Sequence, residues 1–385
     1  MKKVKQFSMI ILLVLLAGCE GKQSTHELLT VDVTKSYPKK ELILQDFMEV
    51  EYIPLETIDE FLTQGQIMDI GKEIIIVKNR INDGDIFIFN RNGKGLKKIN
   101  RKGQGGEEYN SIISITLDEE KGEMFVNDFN KAIIFVYDYN GSYQRSFKHK
   151  EEFKYDQIFN FDKNYLICHD GKLIIDGSKS SQSFFIISKQ DGSIVNEIEI
   201  PFQKETSTLI INLNTASMAS ARYFPITSLN ESWILTSSSS DTIYRYLSDN
   251  TMAPFIARTP AIQSMDPEIF LFPGIMTEQY FFMESVKKEW DFVEKSGFPS
   301  TYLLYDKPKK TIFECAVYND DYSGKESILM QARPLCSEVF FLKNIEAFQL
   351  VEDFKKGILK GKLKEIAATM DKEDNPVIMV VKHKK

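Results

Sequence analysis

Glu73-Ile-Ile-Ile-Val77, a loop, Ile86-Phe-Ile-Phe89, the turn Asn90-Arg-Asn-Gly93 and then Leu96-Lys-Lys-Ile99 form a stretch that the chain almost immediately repeats. The second copy runs Glu123-Met-Phe-Val126, a loop, Ile133-Ile-Phe-Val-Tyr137, the turn Asp138-Tyr-Asn-Gly141 and Tyr143-Gln-Arg-Ser-Phe147. The turn glycines Gly93 and Gly141 lie 48 residues apart. A strand–loop–strand–turn–strand unit at this period is the mark of a β-propeller blade. One such sheet cannot bury both of its apolar faces alone and must stack against copies of itself.

Further units flank this pair. Tyr165-Leu-Ile-Cys168, Ser183-Phe-Phe-Ile-Ile187, the turn Lys189-Gln-Asp-Gly192 and Ile194–Ile198 make a third blade, with Gly192 51 residues beyond Gly141. Asn-Gly and Asp-Gly pairs supply the positive backbone angles that tight hairpins require. Trp233–Thr236 and Thr242–Tyr246, with the turn Ser248–Asn250, make a weaker fourth. Tyr280–Met283 and Thr301–Tyr305 supply a fifth, and the charged stretch Glu284–Pro299 between them has helical character. The sixth combines Glu338–Leu342 with Pro376–Val381. Between these, Ile345–Met370 carries apolar residues at roughly helical spacing, with Gly357 and Gly361 marking a break. Glu49-Val-Glu-Tyr-Ile53 alternates as a half-buried strand does and is placed to pair with the last blade, closing the ring and removing its edges. The expected fold is an all-β, six-bladed β-propeller over residues 41–385, with a short helical insertion near the C-terminus.

The N-terminus carries a different message. Lys2, Lys3 and Lys5 precede the apolar run Met9–Leu16, and Leu16-Ala17-Gly18-Cys19 follows. Eight apolar residues are too few to span a bilayer as a helix, so residues 1–18 read as an export signal. The Leu-Ala-Gly-Cys ending resembles a bacterial lipobox, which implies lipid attachment at Cys19 and a membrane partner through its acyl groups. Residues 19–40 then read as a tether. Cys168 and Cys315 sit in apolar strand runs, as buried free thiols do, while one bridge between Cys315 and Cys336 stays open. The formal charge of −7 becomes −10 without the signal and is spread along the sequence, which argues against a nucleic-acid partner.

Lys102-Gly-Gln-Gly-Gly-Glu-Glu-Tyr109, between the first two blades, resembles the Gly-Gln-Gly-Pro-Gly-Glu-Tyr segment of six-bladed propeller lipoproteins from Bacteroides-type bacteria, relatives of the NHL-repeat propellers. It departs from that family at Gly106-Glu107, where Pro-Gly is common. Tyr52-Ile-Pro-Leu-Glu-Thr57 and Asp374-Asn-Pro-Val-Ile378 are similar to the family's first and closing strands. The resemblance implies a six-bladed, membrane-tethered lipoprotein of the cell envelope, at the outer membrane, and implies no catalytic residues.

In an up-and-down blade, the loop between the first two strands quoted for each unit and the link to the next blade emerge on the same face. The loops Asn79–Asp85, Arg101–Asn110, Asp128–Lys131, His169–Gln182, Lys204–Arg222 and Ser237–Asp241 should therefore share one rim, the default binding face. Its ligand-binding candidates are Arg80, Arg101, Gln104, Tyr109, Asp128, Asn130, His169, Arg222 and Asp241. Each also has a plainer reading: Asp128 and Asn130 suit turn caps, Tyr109 suits packing between blades, and the charged residues suit a solvated rim. The glycines of Lys102–Tyr109 lack the strand-to-helix context of a phosphate loop. Four histidines, His26, His149, His169 and His383, do not assemble a three-histidine metal centre by sequence, and no metal or cofactor is expected. No Gly-x-Ser-x-Gly or His-Glu-x-x-His motif occurs, so no catalytic residue is assigned. The expected function is non-enzymatic binding of a glycan, peptide or partner protein at the envelope. The alternative is a hydrolase or lyase acting on an extracellular polymer through carboxylates that converge only in the fold.

Overall fold

Ile74 to Val77 and Ile86 to Phe89 are apolar at nearly every position because both faces of the sheet they form are covered. Ile74 and Ile76 point toward Met124, Val126 and Phe135 of the second blade, whereas Ile75 and Val77 point the other way, toward Ile378 and Val380 of the last. The computed structural model describes residues 28–171, 183–229, 232–331 and 339–384. The signal-like segment 1–18 with Cys19, the first part of the expected tether, the loop positions 172–182 and Cys336 lie outside the described residues.

Six blades follow one another around an axis. The first comprises Gln66–Ile70, Ile74–Lys78, Asp85–Asn90 and Gly95–Asn100, and the second Ile112–Asp118, Glu123–Asp128, Ile133–Asp138 and Tyr143–Lys148. The third is Tyr155–Asn160, Tyr165–Asp170, Ser183–Ser188 and Ile194–Glu199. The fourth is Ile226–Leu229, Ser232–Leu235, Thr242–Tyr246 and Met252–Thr259, and the fifth Ile269–Met276, Tyr280–Lys287, Ser300–Asp306 and Thr311–Tyr318. In the sixth, Val339–Ile345 and Val377–His383 pair with Met48–Pro54, so the N-terminal strand closes the ring as the alternation of Glu49–Ile53 predicts. Each of the first five repeats thus has an inner strand in front of those read from the sequence. Inner strands of neighbouring blades lie side by side.

Every gap between blades holds its own apolar cluster. Phe125, Val136, Leu166 and Phe185 fill the second gap, Ile167, Ile186, Ile226 and Leu235 the third, and Phe282, Leu304, Val377 and Met379 the fifth. Each large side chain buried this way contributes about 1.5–3 kcal/mol relative to exposure. The hairpin turns insert between neighbours: a Cβ on Gly93 would stand 1.9 Å from the carbonyl oxygen of Pro54, and Gly93 adopts φ +82°.

Two expectations are corrected. The tether does not extend to residue 40, because Leu29–Asp32 and Lys39–Ile43 already add parallel fifth strands to the outer edges of blades four and five. Val31, fully buried, packs between those blades. Nor is Glu284–Pro299 helical: the second strand of blade five continues to Lys287, and Trp290–Asp291 pairs with Ser296–Gly297 in a small hairpin. Asp291 closes that turn by accepting the N–H groups of Val293 and Glu294 at 2.8 and 3.0 Å, which an isolated helical pattern cannot reveal. The C-terminal insertion forms the helices Ala347–Lys355 and Gly361–Ala367, broken at Gly357 with φ +71°. Leu350 and Leu363 anchor it in the cluster between blades five and six.

Candidate functional site

Antiparallel blades send alternate connections to opposite faces. One face carries the hairpin turns, whose polar atoms are used up internally: Asn90 Oδ1 accepts the N–H groups of Asn92 and Lys94, and Asp138 Oδ1 those of Asn140 and Ser142. The other carries the longer loops and the helical insertion.

On that rim, the candidates from blades one and two build a joint. Tyr109 is fully buried, donates its hydroxyl to Gly84 O at 2.6 Å and accepts the Arg101 N–H at 2.9 Å. Its ring meets Tyr137 edge-on at 5.9 Å, and burial pushes its phenol up to about 12. Asp128, also buried, accepts the N–H groups of Asn110 at 2.6 Å and Lys131 at 3.0 Å. Lys131 Nζ in turn donates to Glu108 O at 2.7 Å, holding the glycine-rich loop down on blade two. Tyr109 and Asp128 therefore shape the rim from inside, where a ligand does not reach them. Arg101, Gln104 and Asn130 are exposed around this joint.

The remaining candidates are dispersed. Exposed Arg80 forms an ion pair with Glu346 at the start of the helical insertion. His169 is buried, with Nδ1 2.8 Å from Asp156 Oδ1 and its ring against Phe184. Asp241 accepts the Arg258 guanidinium at 2.5 Å and the Ile262 N–H at 2.8 Å, locking blade four to the link beyond it. Among the described residues no group of three or more His, Cys, Asp and Glu side chains could hold a metal ion. Cys168 is buried and Cys315 half-buried, and burial pushes the Cys315 thiol up to about 12.

Arg222 stands apart, because it sits where the rim is most unusual. Two small hairpins rise from this sector: Leu209–Asn212 with Ser217–Ser220, and Trp290–Asp291 with Ser296–Gly297. Their outer positions are apolar and open, with Leu213 at 89% exposure, Val293 at 86% and Met218 at 67%. Their bases share one cluster, in which Ala221 and Tyr223 pack with Phe270, Phe272, Val286 and Phe298. Tyr223 stacks on Phe272 at 4.4 Å, and Asn212 lies beside Trp290 and Phe292 around a shared recess. Arg222 lines the mouth of an apolar cavity that continues inward past Phe272, Phe282 and Leu303.

Residues 20–338 match the DUF5128 family, described as a 6-bladed β-propeller. The protein belongs to this family. An exported protein from Bacteroides fragilis NCTC 9343 has a similar structure, with a TM-score of 0.61 at 16% identity over 90% of this chain and 99% of its own. A member of the DUF4221 family from Bacteroides vulgatus ATCC 8482 superposes with a TM-score of 0.50 at 11% identity, over 88% of this chain and 98% of its own. At these identities the likeness is one of fold. No curated protein matches the sequence.

The sequence places Arg222 on the rim but hides both hairpins, reading as loop through the first and as helix through the second. Leu209-Ile-Ile followed by Asn212 and Asn214 is the available strand-and-turn signal. Strands of two to four residues that pair only with themselves leave too short an alternation to stand out.

Proposed function

We propose that this protein is a lipid-anchored, non-enzymatic component of the bacterial cell envelope whose propeller binds a partner protein or peptide through the hairpin-bearing sector of its rim. The observation that carries this reading is the pair of adjacent hairpins with Leu213, Val293 and Met218 held open to solvent. Exposed apolar groups gathered on a folded scaffold favour a protein surface. Aliphatic tips offer nothing to the hydroxyls of a glycan, and the nearby aromatic rings, Trp290 and Phe292, are only half-exposed or edge-on to one another. Anchoring at the outer membrane is supported by Leu16-Ala17-Gly18-Cys19 and by the likeness to an exported Bacteroides protein. Among the described residues no helix is long and apolar enough to cross a membrane.

A photo-cross-linking residue placed at Leu213, and in a control variant at Asn92 on the opposite face, tests the reading in the native cell. A discrete cross-linked species from the Leu213 position alone, reduced when Val293 is changed to Asp, is the expected result. Equal products from both positions, or none from either, would refute it. In the same cells Cys19→Ala should move the protein out of the membrane fraction.

A further inference from the structure

The cavity beneath Arg222 is shaped for more than general adhesion. It measures about 110 Å³ and is walled by Phe272, Phe282, Met283, Leu303, Val317 and Ile328. Walls of this kind give a water molecule few partners, and an apolar cavity of roughly 150 Å³ takes up a single benzene ring. A space of this size admits one branched aliphatic or aromatic group. It is too small for a lipid tail and too apolar for a sugar ring.

Tyr302, Ser327 and Gln331 also line this cavity, and two charged groups stand at it. Arg222 is exposed, and among the described residues its guanidinium has no carboxylate partner, unlike those of Arg80, Arg145 and Arg258. Glu284 is half-buried and accepts Gln331 Nε2 at 2.9 Å, which leaves acceptor capacity on its carboxylate. An apolar slot, an exposed bidentate donor with no carboxylate partner among the described residues, and an acceptor together complement a peptide: a side chain for the slot, a carboxylate for the guanidinium, and a backbone N–H for Glu284.

We infer that this cavity holds one medium-sized apolar side chain of an extended peptide whose adjacent carboxylate sits on Arg222. This rests on the rim reading above and names its ligand class. The carboxylate comes either from the peptide's C-terminus or from an acidic side chain next to the apolar one. The flanking hairpins line the path along which the rest of the peptide runs.

Fluorescence anisotropy with the full-length protein in detergent and three dye-labelled octapeptides decides the matter. One ends in Leu with a free carboxylate, the second is its C-terminal amide, and the third is an amide carrying an internal Leu-Glu pair. A carboxylate-bearing peptide should bind about tenfold more tightly than the neutral amide. Whichever acidic peptide gains identifies the source of the charge. Arg222→Gln, at an exposed position, should bring that ratio close to one. Cys315→Phe, on the same strand face as Val317 and so directed at the cavity, should weaken the acidic peptides about tenfold without altering the circular dichroism. Equal binding of acid and amide, or an unchanged ratio in the Arg222→Gln variant, overturns the inference. So does the absence of binding at about 1 mM peptide. If the Leu213 cross-link persists in that case, only the cavity assignment falls; if it is lost as well, the rim reading falls with it.

Discussion

A neutral imidazole stands at the joint between blades two and three. His149 Nε2 lies 2.8 Å from Asn127 Oδ1, and its Nδ1 accepts the Tyr155 N–H at 3.0 Å. Asn127 Nδ2 then donates to Tyr155 O at 2.8 Å, so a protonated ring would lose the backbone bond with no replacement in place. Burial is the main cause that pushes its pKa from 6.5 down to about 4. The unfolded protein therefore takes up this proton first, and stability present above pH 6.5 is lost as pH falls toward 4. The shift corresponds to about 3 kcal/mol at most. Urea unfolding at pH 7 and pH 4.5 should show that loss in the native protein and a clearly smaller one in His149→Gln. Equal losses in the two would refute the assignment. The sequence can count histidines but not place this one, since its partners come from two blades. Tyr109 and Asp128 are more legible, because packing between blades and turn capping are what those residue types do most often.

At the scale of the element, turns are the most readable feature and lone strands the least. Asn90-Arg-Asn-Gly93 announces a hairpin through local chemistry alone. Its glycine also meets a neighbour, with Pro54 O standing where a Cβ would go. Gly93→Ala therefore combines a left-handed backbone with a clash against main chain and should cost more than about 2 kcal/mol. Gly122, at φ +66° with open space around it, provides the control. Gly122→Ala bears only the backbone penalty, about 1–2 kcal/mol. Comparable melting temperatures for the two variants would contradict the packing argument. The strands Leu29–Asp32 and Lys39–Ile43 escape notice for the opposite reason. They pair in parallel with Met252–Thr259 and Thr311–Tyr318, more than 200 residues away, so no turn signals them and their polar outer faces look like linker.

The ring closes only through contacts between the two ends of the described residues, and that determines how the whole molecule should unfold. Val377–His383 pairs along its length with Met48–Pro54, while the N-terminal segment before that strand covers the edges of blades four and five. Blade number and closure are legible in the sequence because the repeat period and the alternation of Glu49–Ile53 reflect the global fold. The rim's hairpins are not, since nothing in the repeat requires them. Six clusters, one in each gap, make each blade the wall of two cores, so opening any gap exposes its neighbours. Unfolding should accordingly be a single transition. Far-ultraviolet circular dichroism reads all blades, and fluorescence reads the only two tryptophans, Trp233 in blade four and Trp290 on the rim. Their urea midpoints should coincide. Val380 is fully buried between blades six and one, on the far side of the ring from Trp233, and Val380→Asp places an unpaired carboxylate there. That change should lower both midpoints together, by the equivalent of about 3 kcal/mol or more. If fluorescence keeps its midpoint while circular dichroism shifts, blade six melts independently and closure does not couple the ring.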